Sequence, residues 1–330
     1  MKALGIGTTF FILIICALAL APRVFAQSLI NANDISFSTT PSTPGPNEEV
    51  SIMVSSYTVN LSRSTIKWKV DDVLKKSGIG ETSLSVTTKG IGQTTNITID
   101  IITVGGTVVT KEITLRPAEM DLLWEAVDSY TPPFYRGKSF LSSEGLVRVT
   151  AIPIIKNSEG KAYNDDDLVY IWRKDINNVP QASGYGKKAF TFKQSYFDHS
   201  NSVGVEVSSL DNGQGASKTI SVAPQNPVIL FYKDTPLEGV EYQKAISDVA
   251  IEGDNLSVVA TPYFFSPKNV DSKDLGYKWT AGSDALNVAN PKNKLTLTKG
   301  ESKGGATVSL SIESISKLFQ VAKGSFNVSF

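Results

Sequence analysis

Apolar and polar residues alternate with a period of two through most of the chain after residue 50, in runs of five to nine that end at Gly, Pro, Asn or Asp. Val50, Ile52 and Val54 form one such run, Ile97, Ile99 and Ile101 another, and Ile113 and Leu115 a third. Successive strand side chains point to opposite faces, so each run predicts a strand with one face to bury. The series then repeats. Val147, Val149, Ala151 are followed by Val203, Val205, Val207 and by Ile220, Val222. Later come Leu256, Val258, Ala260, then Val308, Leu310, Ile312, then Phe326, Val328. Helical spacing is scarce, so the strands must cover one another as sheets packed face to face.

Three tryptophans mark the same point of each series. Trp68, Trp172 and Trp279 stand in STIKWKVD, LVYIWRKD and LGYKWTAG, 104 and 107 residues apart. An apolar-hydroxyl-apolar triplet follows each one: Leu84-Ser85-Val86, Phe190-Thr191-Phe192 and Leu295-Thr296-Leu297. Repetition at a fixed period marks a repeated structural unit. The predicted division is 27–117, 118–223 and 224–330, with each tryptophan packed in the core between two sheets.

With the buried tryptophan on the third strand, this ordered set resembles the immunoglobulin-like domains of bacterial surface proteins, and more weakly the polycystic-kidney-disease repeats. The glycine-aspartate-glycine loop of the latter is absent after all three tryptophans, and the cross-sheet cysteine pair of antibody domains is missing. The resemblance implies an all-β chain of three tandem immunoglobulin-like sandwiches and carries no activity with it.

The N-terminus changes the setting. Lys2, the apolar run Leu4 to Ala21 and Val24-Phe25-Ala26 read as a signal helix over 1–26, cleaved before Gln27. The alternative is retention of that run as a membrane anchor, the only membrane contact expected. Cys16 is the sole cysteine, so the mature chain has neither disulfides nor thiolate metal sites. Cleavage removes Lys2 and Arg23 and leaves a net charge of about −2 without long runs of one sign, which argues against nucleic acid as a partner.

Few residues offer chemistry. His199 is the only histidine and sits in the polar stretch YFDHSNS, which excludes multi-histidine zinc sites and gives a Ser-His-Asp triad no supporting motif. Asp165, Asp166 and Asp167 form a run that reads either as a solvated turn or as oxygen ligands for calcium, the one cofactor considered. Trp124, Tyr130, Phe134 and Tyr135 crowd the junction after the first unit, as a platform for sugars or peptides or as packing between domains. The expectation is an exported, extracytoplasmic, non-catalytic protein: a structural or adhesive spacer in the envelope or at the cell surface. Its expected partners are envelope or extracellular proteins, glycans, or further copies of itself. The alternatives are a carbohydrate-binding accessory protein and a periplasmic assembly scaffold.

Overall fold

The computed structural model describes residues 32–132, 134–157, 159–210, 215–301 and 303–330. The expected signal helix lies outside the described residues. Among the described residues regular structure is strand throughout, apart from three short 3-10 turns.

The strands come in three successive stretches. The first holds β1 (Ser36–Thr40), β2 (Glu49–Ser55), β3 (Thr65–Val70), β4 (Val73–Ile79), β5 (Ser83–Thr87), β6 (Thr95–Ile102) and β7 (Val108–Leu115). The second holds β8 (Glu119–Ala126), β9 (Leu146–Ile154), β10 (Leu168–Lys174), β11 (Asn177–Asn178), β12 (Gly184–Tyr185), β13 (Ala189–Lys193), β14 (Asn201–Ser209) and β15 (Gly215–Val222). The third holds β16 (Val228–Thr235), β17 (Gly239–Val240), β18 (Asp248–Ala250), β19 (Asn255–Tyr263), β20 (Leu275–Ala281), β21 (Asp284–Leu286), β22 (Lys294–Thr298), β23 (Gly305–Ser314) and β24 (Val321–Ser329).

One pair of sheet orders recurs. The smaller sheets run β1-β2-β5, β8-β9-β13 and β17-β16-β19-β22, and the larger ones β4-β3-β6-β7, β11-β10-β14-β15 and β21-β20-β23-β24-β18. Each tryptophan strand lies between a hairpin partner and the long alternating strand that follows the triplet. This is the strand order of immunoglobulin-like sandwiches.

By backbone proximity the chain forms two units. One comprises the described residues up to Ser38 with Ile52–Leu84 and Asn96–Ile113, and contains the sheet β4-β3-β6-β7. In it Trp68 is buried with Ile66, Ile97, Ile99 and Ile101, the last three at positions that the period-two pattern marks. Asp71 and Asp72 connect β3 to β4 with φ of 45° and 65°. Positive φ at both central residues is the two-residue hairpin geometry that matches strand twist.

The other unit comprises Thr39–Ser51, Ser85–Thr95 and Thr114–Phe330. It contains two cores, each drawn from both sheets of one stretch. Val147, Val149 and Ala151 of β9 meet Tyr170, Trp172, Val203, Val205 and Val207 in one. Leu256, Val258 and Ala260 of β19 meet Trp279, Val308, Leu310, Ile312 and Phe326 in the other.

All three indoles are anchored alike. Trp68 Nε1 donates to the Glu81 carbonyl at 2.7 Å, Trp172 Nε1 to Lys187 at 2.8 Å and Trp279 Nε1 to Lys292 at 2.9 Å. Each acceptor lies just before the triplet strand, so one buried donor ties the tryptophan strand to the entry of a strand in the opposite sheet. A buried indole N–H requires such a partner. In Trp172→Phe the Lys187 carbonyl loses its donor and the smaller ring leaves space behind. The expected cost is about 2–4 kcal/mol in the unfolding transition of that sandwich, measured by urea titration; a loss below about 1 kcal/mol would show that the bond does not hold the sheets in register.

Candidate functional site

The connection from β8 to β9 carries three of the four aromatics singled out in the sequence, and it does not stay with its own sandwich. Tyr130 N–H donates to the Phe265 carbonyl at 2.6 Å, and Phe264 N–H donates back to the Tyr130 carbonyl at 2.8 Å. Phe134 stacks on Tyr242 with centroids 3.7 Å apart and meets Tyr232 edge-on. Tyr135 meets Tyr263 and Phe264, each at 5.8 Å. Tyr130, Phe134 and Tyr135 thus bind the third stretch, although in sequence they follow the first.

Polar groups fix the same joint. Gln320 is fully buried; its Oε1 accepts from Ser266 N–H at 2.9 Å and its Nε2 donates to the Ser143 carbonyl at 2.6 Å. Lys317 Nζ lies 3.0 Å from Asp128 Oδ2, with both side chains largely shielded. Ser142 Oγ donates to the Phe264 carbonyl. Phe264 has φ of 67°, a left-handed backbone rarely adopted by a bulky side chain, and there its ring packs on Phe140 at 5.1 Å. Within the joint Tyr232 and Tyr263 share a hydroxyl hydrogen bond of 2.8 Å, and burial, then that bond, raises the Tyr263 phenol well above its ordinary value.

Trp124 lies elsewhere, on β8. It borders a groove of about 810 Å³ between the outer edges of β8 and β15, with Leu122, Leu123 and Ile220 as its apolar lining. Lys138 Nζ sits 3.3 Å from the Trp124 ring centroid, a cation–π contact, and burial lowers its pKa. Arg148 and Glu125 pair at 3.5 Å on one wall, and Lys218 and Asp121 pair at 2.6 Å across the two strands.

A second exposed surface has no counterpart in the sequence reading. Tyr196 and Phe197, from the β13–β14 loop, touch at 3.8 Å, and Tyr196 stacks on Phe319 of the β23–β24 turn at 5.6 Å. Phe197, Leu318 and Ile315 are each more than 70% exposed. In sequence these residues read as ordinary loop aromatics, because nothing local says that two distant loops meet.

Asp165–Asp167 form a 3-10 turn before β10. Asp165 Oδ2 lies 2.7 Å from Lys188 Nζ, and Asp167 Oδ2 accepts from Asn164 Nδ2 at 3.0 Å. Among the described residues no three His, Cys, Asp or Glu side chains converge as a metal site would require. His199 is exposed in a bend. No described helix is long and apolar enough to cross a membrane.

No family model matches the chain, and no curated protein sequence does. Solved structures with a similar course are tandem arrays. The three N-terminal domains of the bacteriophage RB49 highly immunogenic outer capsid protein are 14% identical, cover 90% of this chain and 97% of that one, and give a TM-score of 0.26. The fibronectin(III)-like modules of Clostridium thermocellum CbhA are 9% identical over 58% of this chain and 94% of that one, with a TM-score of 0.29. The Bacteroides ovatus glucan-utilisation protein SGBP-B, solved with a mixed-linkage heptasaccharide, is 14% identical over 94% and 69%, with a TM-score of 0.21. Scores this low say nothing of function, and the fold assignment rests on the strand orders themselves.

The turn at Asp165 and Asp166 has an electrostatic consequence. Burial first, and those two carboxylates second, push the Tyr170 phenol up from 10 to about 12. With the folded value above the unfolded one, the neutral phenol's contribution is complete below pH 10 and is lost as pH rises through about 12. Tyr170 Oη has no hydrogen-bond partner among the described residues. Tyr170→Phe is therefore expected to keep stability at pH 7 within about 1 kcal/mol and to flatten the loss in that window, followed by pH-dependent thermal melts; an unchanged alkaline slope would rule Tyr170 out as its source. Judged by sheet order and core, the chain is a tandem array of immunoglobulin-like sandwiches.

Proposed function

We propose that the chain is an exported, non-catalytic spacer and interaction module, divided into sandwiches at 27–117, 118–223 and 224–330. The observation that supports it is the joint between the second and third stretches. A buried glutamine, a paired backbone bridge and interlocked rings are what a fixed orientation needs, and a flexible linker needs none of them. A spacer gains its reach from such joints.

The reading as a glycan-binding accessory protein is favoured by one feature, the exposed rings of Tyr196, Phe197 and Phe319. Exposed rings can stack on sugar faces or on a partner's apolar side chains. A glycan array with the intact mature chain separates the two, with Phe197→Ala and Phe319→Ala as the variants that should abolish sugar binding.

The spacer reading makes two measurable claims. Spin labels at Thr219→Cys and Ser325→Cys, clean because the mature chain has no cysteine, should give one narrow distance distribution that broadens in Gln320→Ala; a broad distribution in the parent chain would sink the fixed joint. Protease applied to intact native cells should remove a chain that begins at Gln27. A chain protected from protease and still carrying Leu4 to Ala21 would place it inside the envelope instead.

A further inference from the structure

The second and third stretches differ in the link that follows their first strand. In the third, the connection between β16 and β19 folds back over the open side of its own sandwich. β17 pairs with β16, Ile246 N–H donates to the Phe231 carbonyl at 2.8 Å, and Asn327 N–H of β24 donates to the Ser247 carbonyl at 2.7 Å. β18 then runs parallel to β24, with Asp248 opposite Asn327 and Ala250 opposite Ser329. Ile246 and Val249 pack against the core from this segment.

In the second stretch the same place is the Trp124 groove. Among the described residues no strand pairs β15 on its outer side. Its backbone groups point outward there. Ser202, opposite Ser221, donates its N–H to Asp175 Oδ1 at 2.9 Å, and its carbonyl accepts from Asp175 N–H at 2.7 Å. Ser202 and Ser221 therefore form a non-hydrogen-bonded pair, which directs the Ser221 N–H and carbonyl away from β14. Ser221 corresponds to Asn327, the residue whose N–H binds Ser247: its partner on β14 is held by the β10–β11 turn as the partner of Asn327, Thr307, is held by Gly282 N–H at 2.9 Å.

The groove also has a charge to satisfy. Lys138 Nζ lies over the Trp124 ring at the groove, and the segment that covers the third sandwich carries Asp248 beside Val249.

We propose that the groove between β8 and β15 receives an extended acidic-apolar segment of another protein, added in parallel to β15 as β18 is added to β24. Its apolar side chains would rest on Leu122, Trp124 and Ile220, and its carboxylate would meet Lys138. Backbone hydrogen bonds at a strand edge supply affinity, and pockets for alternate side chains supply selection. The occupant is another protein because this chain's own matching segment is already built into its third sandwich. The inference rests on the reading of the chain as an interaction module and deepens it.

The probe is a capped synthetic peptide with the sequence of Gln243–Glu252, titrated into the intact mature chain. Saturable one-to-one binding is expected, weakened about fivefold or more by Lys138→Gln and about tenfold by Trp124→Leu. Ser221→Pro, which removes an N–H that β14 does not use, should abolish it while leaving the thermal melt near that of the parent. Should Ser221→Pro not fold, the cycle of Lys138→Gln against Asp248→Asn in the peptide decides, since paired groups lose less together than the sum of the separate losses. A flat titration, or binding indifferent to Ser221→Pro and Lys138→Gln, overturns the proposal. Concentration-dependent dimerisation abolished by Ser221→Pro, without peptide binding, would assign the groove to a second copy and overturn it as well. Chains displayed on cells that ignore the peptide would remove the groove and leave the spacer reading standing.

Discussion

A buried indole N–H in a sandwich has few places to go, because the sheet backbones around it have already spent their carbonyls on one another. In this chain it goes to the carbonyl that precedes the triplet strand, at Glu81, Lys187 and Lys292. That bond is made where the chain leaves one sheet and enters the other. It sets how far the crossing segment reaches and so which residue of the triplet strand faces the core. Antibody-type sandwiches have a disulfide across the same gap; this chain, with Cys16 as its sole cysteine, has this bond and the packing around the ring.

Strand positions were legible because period two leaves one solution. Every alternating residue read from the sequence as inward in β2, β6, β9, β14, β19 and β23 is buried. A slip of one residue would have turned each set outward. The tryptophans were legible for the same reason, reinforced by their spacing. The identity of their acceptors was not: Glu81, Lys187 and Lys292 contribute a backbone carbonyl, and a backbone group leaves no mark on residue type.

The candidate surfaces were less legible, and the reason is again physical. Tyr130, Phe134 and Tyr135 follow the first strand of the second stretch, close in sequence to the end of the first, which invites the inference that they pack there. Their actual neighbours, Tyr242, Tyr263 and Phe264, lie more than 100 residues further on. A strand's partners are limited by register, whereas a loop of this length can reach any surface within its span. Tyr196 and Phe319 meet through two loops in the same way.

The open groove and the fixed joint follow from a single difference in how one connection is used. The link from β8 to β9 and the link from β16 to β19 are both 19 residues long. The later one folds back, and Ile246 and Val249 close the side of its own sandwich. The earlier one instead turns outward at Ser129 and Tyr130, where it pairs with Phe264 and Phe265 and lays its rings on the neighbouring sandwich. It returns to its own sandwich at Lys138, whose ammonium lies over Trp124, and at Leu141, which is buried in that core and whose carbonyl accepts from Gln225 N–H at 2.6 Å, and it leaves the β15 edge at Ser221 open. Stiffness between two sandwiches and an unfilled strand edge on one of them are thus linked: holding the neighbour is what exposes the groove.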